Sequence, residues 1–316
     1  MSVRLPSPDE IRDAAARIAP HAVLTPVLRH AALDAMVGAQ LHFKCENLQR
    51  GGAFKFRGAC NAVWSLSDDE ARRGVVTHSS GNHGNALAMA AATRRITAHV
   101  VVPEGAVRAK VEAIEQAGAT LHLCAPTIAA REAKAEEIQR ATGAVMVHPY
   151  ADTRVMAGQG TLVLELLRQT GGLEAIITPI GGGGLQAGCA IAAHNISSNI
   201  VMYGAEPSGA SDAAQSLAQG ARIEHFTPDT ICDGLRALIG QSNLLALREH
   251  RVEIITVSDE ETIAAMKLLW QTLKLVVEAS SATVFAAVLK QRERFAGRRV
   301  GLVLTGGNVD VDALPW

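Results

Sequence analysis

Lys55 stands between Phe54 and Phe56, just after a glycine pair, in the stretch Glu46-Asn47-Leu48-Gln49-Arg50-Gly51-Gly52-Ala53-Phe54-Lys55-Phe56-Arg57-Gly58. Glycines let a backbone approach a ligand closely, and two aromatic rings desolvate an ammonium and lower its pKa toward that of a base or Schiff-base former. A lone lysine of this kind is more often a surface residue whose stem lies on apolar rings, so it gains meaning only from two further motifs. The first is Ser79-Ser80-Gly81-Asn82-His83-Gly84-Asn85, which follows Gly74-Val75-Val76-Thr77 and precedes an alanine-rich run, residues 86–92. It reads as strand, polar turn and helix, and the unpaired N–H groups and dipole of a helix start favour a carboxylate. Taken alone, it serves equally well as a plain Ser/Asn cap with a satisfied histidine. The second motif is Gly181-Gly182-Gly183-Gly184-Leu185-Gln186-Ala187-Gly188, directly after Ala175-Ile176-Ile177-Thr178-Pro179-Ile180 and opening a small-residue helix to about His194. Four glycines bare successive N–H groups to an oxyanion, and a phosphate is the natural occupant. A merely flexible turn seldom concentrates residues that each lose so much entropy on ordering.

The glycine loop has a rival reading. Gly182, Gly184 and Ala187 satisfy G-x-G-x-x-A, and Glu206 closes the next apolar run about twenty residues on, where a dinucleotide site has its ribose-binding acid. An NAD-binding oxidoreductase is therefore the different-class alternative. It leaves Lys55 and the Ser79 to Asn85 turn without a use, and its loop lies in mid-chain instead of at a first βα unit. A lysine, a carboxylate receptor and a monophosphate cradle are together the parts that hold pyridoxal phosphate and an amino acid.

With these motifs the chain resembles the fold-type-II pyridoxal-phosphate enzymes, in the branch of serine/threonine dehydratases, serine racemases and 3-hydroxyaspartate dehydratases. The resemblance runs from about Thr25-Pro26 to Asp310. It rests on Lys44-Cys45-Glu46-Asn47-Leu48-Gln49, Gly52 to Gly58, Ser79-Ser80-Gly81-Asn82-His83, Ala157-Gly158-Gln159-Gly160-Thr161, the tetraglycine loop, Asp233-Gly234 and Thr305-Gly306-Gly307-Asn308-Val309-Asp310. It implies that Lys55 binds the cofactor covalently and takes the α-proton, that Phe54 and Gly234 flank the ring, that Asn82 hydrogen-bonds its 3-hydroxyl, and that Gly181, Gly182, Gly183 and Gly184 hold its phosphate. By the same resemblance Ser79, Asn82 and His83 surround the substrate carboxylate, and Thr305 faces the pyridine nitrogen. A neutral hydroxyl there makes the ring a weaker electron sink than a carboxylate partner would, which favours β-elimination.

Three further residues or groups carry a resemblance-based expectation. Ser80 matches a serine of the racemases, where many threonine dehydratases have alanine, and would supply a second base on the face opposite the lysine; confinement to a loop hydrogen bond is the alternative. Glu206, Ala210 and Asp212 resemble the racemases' divalent-metal loop, where two carboxylates and a backbone carbonyl bind magnesium or calcium, hard cations that prefer oxygen. The chain departs from the family at Glu278-Ala279-Ser280-Ser281-Ala282-Thr283 and at Tyr150, where the family has a pocket asparagine. Those departures put the substrate in doubt. A second substrate carboxylate needs a cation, for which Arg131, Arg154 and Arg236 are candidates.

The elements that must position these residues follow from alternation. Val75-Val76-Thr77, His99 to Val102, Leu121 to Leu123 and Val145 to Val147 are short β-rich runs separated by helix-length segments, and Ile176 to Ile180, Ile200 to Tyr203, Ile254 to Val257 and Val300 to Leu304 form a second series. That pattern signals parallel βαβ units. Ser258-Asp259-Glu260-Glu261 caps a helix whose Ile263, Met266, Trp270 and Leu273 share a stripe. The expectation is a two-lobed α/β fold, tryptophan synthase β-like, with open twisted mostly parallel sheets flanked by helices. Residues 1–64 plus 151–316 would form a large cofactor-binding domain, with 65–150 a small domain inserted in it and the ligand between them.

A chain of 316 residues that is 48% hydrophobic can bury a core for both lobes. Its net charge of −1 offers no basic excess for nucleic acid. The absence of a long apolar run or a signal-peptide core predicts a soluble cytoplasmic protein without a membrane partner. The five cysteines, Cys45, Cys60, Cys124, Cys189 and Cys232, lack C-x-x-C spacing and read as reduced core residues. The expected activity is dehydration and deamination of L-threonine or L-serine to a 2-oxo acid and ammonia, with serine racemase and 3-hydroxyaspartate dehydratase as alternatives. The family suggests a homodimer.

Overall fold

A computed structural model of the chain describes residues 4–106 and 108–316. Along the chain, α1 (Pro8–Ile18), β1 (Val27–Leu28), α2 (Ala31–Val37) and β2 (Gln40–Cys45) lead through two short 3-10 turns into α3 (Lys55–Trp64) and α4 (Asp68–Arg73). Next come β3 (Val75–Thr77), α5 (Asn82–Arg94), β4 (Ala98–Pro103), α6 (Arg108–Gln116), β5 (Thr120–Cys124), α7 (Ile128–Thr142) and β6 (Val145–Met146). The chain then runs through α8 (Thr153–Thr170), β7 (Ala175–Pro179), α9 (Gly184–Ile196), β8 (Val201–Pro207), α10 (Asp212–Gln219) and α11 (Gln241–Glu249). It closes with β9 (Glu253–Val257), α12 (Asp259–Leu273), α13 (Ala279–Lys290), α14 (Arg292–Phe295) and β10 (Arg299–Leu304).

Two sheets result, one of order β1-β2-β10-β7-β8-β9 and one of order β5-β4-β3-β6. Every pairing is parallel except β1 with β2. Parallel strands need helical crossovers that cover both faces, so their sequences are continuous apolar runs. The β7 run from Ala175 to Pro179 is buried at every residue. One face of the six-stranded sheet packs a core with Phe43, Met266, Leu269, Phe285 and Phe295, and the other packs Ile11, Leu162, Leu166, Ile191 and Leu247. The smaller sheet shares a third core with α3 and α5 through Phe56, Val63, Val75 and Leu87.

Local signals set the helix starts. Ser258 and Glu261 form a reciprocal capping box at α12, as do Ser7 with Glu10 at α1 and Ser67 with Glu70 at α4. The buried stripe of α12 is Thr262, Ala265, Met266 and Leu269, offset from the expected Ile263, Met266, Trp270 and Leu273. Trp270 sits at the rim because its indole N–H must reach a polar partner, here the Val277 carbonyl at 2.9 Å. Cys124 likewise departs from expectation: it lies half-buried on the outer strand β5, whereas the other four cysteines are buried and all five are free. Among the described residues no helix is long and apolar enough to cross a membrane.

This topology concentrates chemistry at one edge. The adjacent strands β2, β10 and β7 run parallel, so their carboxyl ends lie side by side, and those ends lead to Lys55, Thr305 and the glycine loop. Open α/β sheets bind ligands at this edge.

Candidate active site

Lys55 is the first residue of α3, delivered by a turn in which Gly51 and Gly52 have φ of 68° and 70°. A β-carbon on Gly52 would lie 2.4 Å from Asn308 Oδ1, so backbone and side chain approach as only glycine permits. The Lys55 ammonium lies 5.2 Å from the Phe54 ring centroid and donates to the Pro149 carbonyl at 3.1 Å. Burial of the amine pulls its pKa down to about 8, against an opposing pull from the Glu278 charge. About a tenth of the amine is then free base at pH 7. The expectation that both rings shield it is corrected: Phe56 points into the core with Phe54 alone beside the amine, and Arg50 lies over Phe56 at 5.5 Å. Consecutive helical residues point about 100° apart, so two flanking aromatics cannot share one target.

The Ser79 to Asn85 turn opens α5 at Asn82, with Gly81 preceding it and no side chain capping the helix. A β-carbon on Gly84 would lie 1.9 Å from the Ser79 carbonyl, so the helix start and the strand end nearly touch. The plain-cap alternative therefore does not describe this turn. The half-buried Ser79 and Ser80 hydroxyls make no hydrogen bond among the described residues. Nor is His83 a satisfied core histidine: its Nε2 reaches the Val147 carbonyl at 3.4 Å, while its buried Nδ1 has no partner among the described residues. A carbonyl only accepts, so Nε2 carries the proton and Nδ1 presents a lone pair. Burial, then the nearby Lys55 charge, hold this imidazole neutral, with a pKa well below the ordinary 6.5. A neutral ring with its lone pair free cannot itself donate to a carboxylate; the α5 amides can.

Asn82 ties this turn to the other sheet. Its Nδ2 donates to both carboxylate oxygens of Glu278 at 3.2 Å, and its Oδ1 accepts from Asn308 at 2.9 Å. Glu278 is a site residue that sequence reasoning passed over, since an acid ahead of a helix reads as ordinary dipole compensation. The structure shows its closeness to the glycine after Thr305: a β-carbon on Gly306 would lie 2.7 Å from Glu278 Oε1.

Gly181 to Gly184 are buried, and Gly183, at φ 84°, caps α9 with no side-chain bond. A β-carbon on Gly182 would lie 2.4 Å from the Tyr150 ring, and one on Gly183 would lie 2.3 Å from Ile239. The Gly182 carbonyl is held by the Gly240 amide at 3.1 Å and by Asn243. The amides of Gly181, Gly182 and Gly183 find no acceptor among the described residues. Three free amides at a helix start, in a cradle that any side chain would fill, fit a phosphate. Gly234 lies alongside, its amide donating to Ser280 Oγ at 3.1 Å.

Thr305, 3% exposed, lies 3.1 Å from Ser281 by their hydroxyl oxygens, and Ser281 also donates to the Gly306 carbonyl at 2.8 Å. The departures at Ser280 and Ser281 thus brace the residues beside the expected cofactor ring. Tyr150 packs against the glycine loop, with the His148 ring 4.6 Å from its own. His148 Nδ1 accepts from the Ala151 amide at 3.0 Å, and its ring meets His78 edge-on at 5.1 Å. Burial, then His78, hold the His148 pKa down to about 4.

The three candidate arginines separate clearly. Arg154 pairs with Asp152 at 2.6 Å, and Arg236 donates to the Thr230 carbonyl at 2.6 Å. Arg131, on α7, has a buried Nε without a partner among the described residues, and its charge is felt at both His78 and Tyr150.

Of the metal candidates, Glu206 and Asp212 lie near enough for the Asp212 charge to raise the Glu206 pKa. Buried Glu206 accepts from the Ala213 and Ala214 amides at 2.9 Å, and Asp212 accepts from the Ile239 amide at 2.7 Å. Burial raises Glu206 to about 8 and Asp212 to about 6, and Asp212 Oδ1 has no partner among the described residues. Ala210 closes the intervening 3-10 turn. No cluster of three or more His, Cys, Asp or Glu side chains suited to a metal occurs among the described residues, so these two carboxylates would need the backbone carbonyl and water to complete a hard-cation shell. The Glu206 carboxylate is turned onto the start of α10, which removes the ribose contact that a dinucleotide reading requires.

The chain is similar to known proteins over nearly its whole length. The chain is 44% identical over 312 residues to a β-hydroxyaspartate dehydratase of Paracoccus denitrificans (strain Pd 1222), covering 99% of both chains. It is 43% identical over 309 residues to a serine racemase of Dictyostelium discoideum, covering 96% of this chain and 95% of that one. Maize serine racemase superposes with a TM-score of 0.95 at 43% identity, covering 98% of this chain and 95% of the other. Residues 18–306 match the pyridoxal-phosphate dependent enzyme family, and the chain is a fold-type-II member of it.

Proposed function

We propose that this enzyme dehydrates and deaminates a β-hydroxy amino acid, and that its substrate is 3-hydroxyaspartate. The reading rests on Arg131, a cation whose buried Nε has no partner among the described residues and whose charge, together with the stronger opposite charge of its neighbour Glu132, is felt at His78 and Tyr150. A second carboxylate is costly to bury without such a partner. L-Serine and L-threonine undergo the same chemistry but lack the group that Arg131 would pair.

In this reading the α5 amides with Ser79 and Asn82 hold the α-carboxylate, and Gly181 to Gly184 hold the cofactor phosphate. Bound pyridoxal phosphate supplies the electron sink for the pair released at Cα. Lys55 takes the α-proton, for which its lowered pKa suits it. Hydroxide leaves Cβ and gains a proton to become water; the resulting enamine tautomerises and takes up water, releasing a 2-oxo acid and ammonia. Glu206, Ala210 and Asp212 are read as a structural magnesium or calcium site, supported by the orphaned Asp212 oxygen. The membership of the two sheets supports a 65–150 insertion within the larger lobe, and free cysteines suit a cytoplasmic enzyme.

Release of 2-oxo acid by purified protein with pyridoxal phosphate and magnesium tests this. We expect kcat/KM for 3-hydroxyaspartate to exceed that for L-serine and L-threonine by ~100-fold, about 2.7 kcal/mol of discrimination, and Arg131→Ala to collapse the preference. Equal use of all three would remove the dicarboxylate reading while leaving the lyase. The unpartnered Ser80 hydroxyl favours a second activity, racemisation, and absence of Cα exchange with D-serine would exclude it.

A further inference from the structure

Two residues beyond Lys55, on the same turn of α3, Arg57 is fully buried and bound on both sides. Its Nε and NH2 donate to Glu46 at 2.7 and 2.8 Å, and its NH1 and NH2 donate to Glu165 at 2.7 Å each. Thr161 takes the remaining N–H at 3.3 Å, so all five donors of the fork are used. Lys44, also fully buried, completes a neutral quartet: its ammonium donates to Glu165 at 2.7 Å, the Thr25 carbonyl at 2.8 Å and Gln169 at 3.0 Å. The quartet joins β2, α3 and α8 beneath the cleft.

Well-packed apolar residues often replace a buried ion network at no loss, so stability alone does not require this one and geometry is the other use it can serve. A planar guanidinium gripped by two bidentate carboxylates fixes a helix in both rotation and translation, which no apolar contact does. Residues two apart on a helix point about 160° from each other, so Arg57 anchors the side of α3 opposite the one that presents Lys55. A 10° rotation of α3 moves an amine about 6 Å from its axis by about 1 Å. The adjoining turn is held too, by the Gly58 amide donating to Gln159 at 3.1 Å.

We propose that Arg57 is a positioning residue, clamped by Glu46 and Glu165, that sets the direction in which Lys55 meets the cofactor and substrate. This rests on the reading of Lys55 as the cofactor lysine. Arg57→Lys keeps the charge and loses the fork, and Glu165→Gln loosens one side. In the holoenzyme of Arg57→Lys we expect kcat to fall ~100-fold, as a displacement of about 1 Å costs, with KM for the amino acid within about threefold of native. The pH titration of the resting cofactor's visible absorbance should shift as well. Glu165→Gln should lower kcat about tenfold in the same pattern.

Either variant folded with native kcat and an unshifted titration overturns the clamp, and so does unfolding of both, since the network would then serve stability alone. Borohydride reduction followed by peptide mapping separates the two ideas. A cofactor label on another residue removes the Lys55 reading itself; a label on Lys55 beside a native-like Arg57→Lys removes only the clamp.

Discussion

The Asn82 side-chain amide bridges both carboxylate oxygens of Glu278 at 3.2 Å, which joins the first turn of α5 to the residue that precedes α13, across the cleft between the two sheets. It also brings a negative charge near Lys55, the one influence that holds the lysine's pKa up against burial. Glu278→Gln should therefore drop the Lys55 pKa below its value of about 8. The acidic limb of kcat/KM should move to lower pH, since the base is freed of its proton earlier. Loss of charged hydrogen bonds should cost about 1.5–3 kcal/mol of stability. An acidic limb at higher pH would contradict the assignment.

A methyl group in the glycine cradle should act on cofactor affinity before it acts on chemistry. Gly182→Ala forces a β-carbon to 2.4 Å from the Tyr150 ring, and the ring or loop must move. We expect pyridoxal-phosphate Kd, measured by fluorescence titration, to rise at least ~100-fold, with kcat partly restored at saturating cofactor. Unchanged Kd would mean that the phosphate lies elsewhere.

Acid should destabilise the protein through His148. Its pKa falls from the ordinary 6.5 to about 4 because it is buried, with His78 and Lys55 adding positive charge and Asp152 opposing them. Between pH 6.5 and 4 the unfolded chain binds a proton that the folded one does not, so stability is lost as pH falls through that window. The loss is on the order of 3 kcal/mol. His148→Asn keeps an acceptor for the Ala151 amide and cannot be protonated; its denaturation midpoint should vary less between pH 6.5 and 4. Equal pH dependence in both proteins would shift the cause to other groups.

Magnesium should stabilise the chain through Glu206 and Asp212. At a hundred times Kd a ligand adds about 2.7 kcal/mol, which corresponds to a rise of several degrees in Tm. Chelation should reverse it, and Asp212→Ala should abolish the response. A cation response that survives Asp212→Ala would place the ion elsewhere.

Much of this molecule is legible from short stretches of chain, because the responsible physics is local. Four consecutive glycines after an apolar strand announce a bare helix start, Ser258 and Glu261 announce the cap of α12, and alternating strand and helix runs announce parallel sheets. Lys55 stood out only once two distant motifs were read with it, and the roles of its neighbours did not follow from the sequence: Phe56 turns into the core because a helix rotates it away.

What tertiary structure alone decided are relations between residues far apart in sequence. The Lys55 contact with Pro149 spans 94 positions and the Asn82 contact with Glu278 spans 196. Among three equivalent arginines, only through-space partners distinguish Arg131 from Arg154 and Arg236. Periodicity and propensity describe which way a side chain leaves its own element. They carry no record of which element packs opposite it, and it is that packing which sets the pKa of Lys55, orphans the Arg131 Nε and locks Arg57 beneath the catalytic turn.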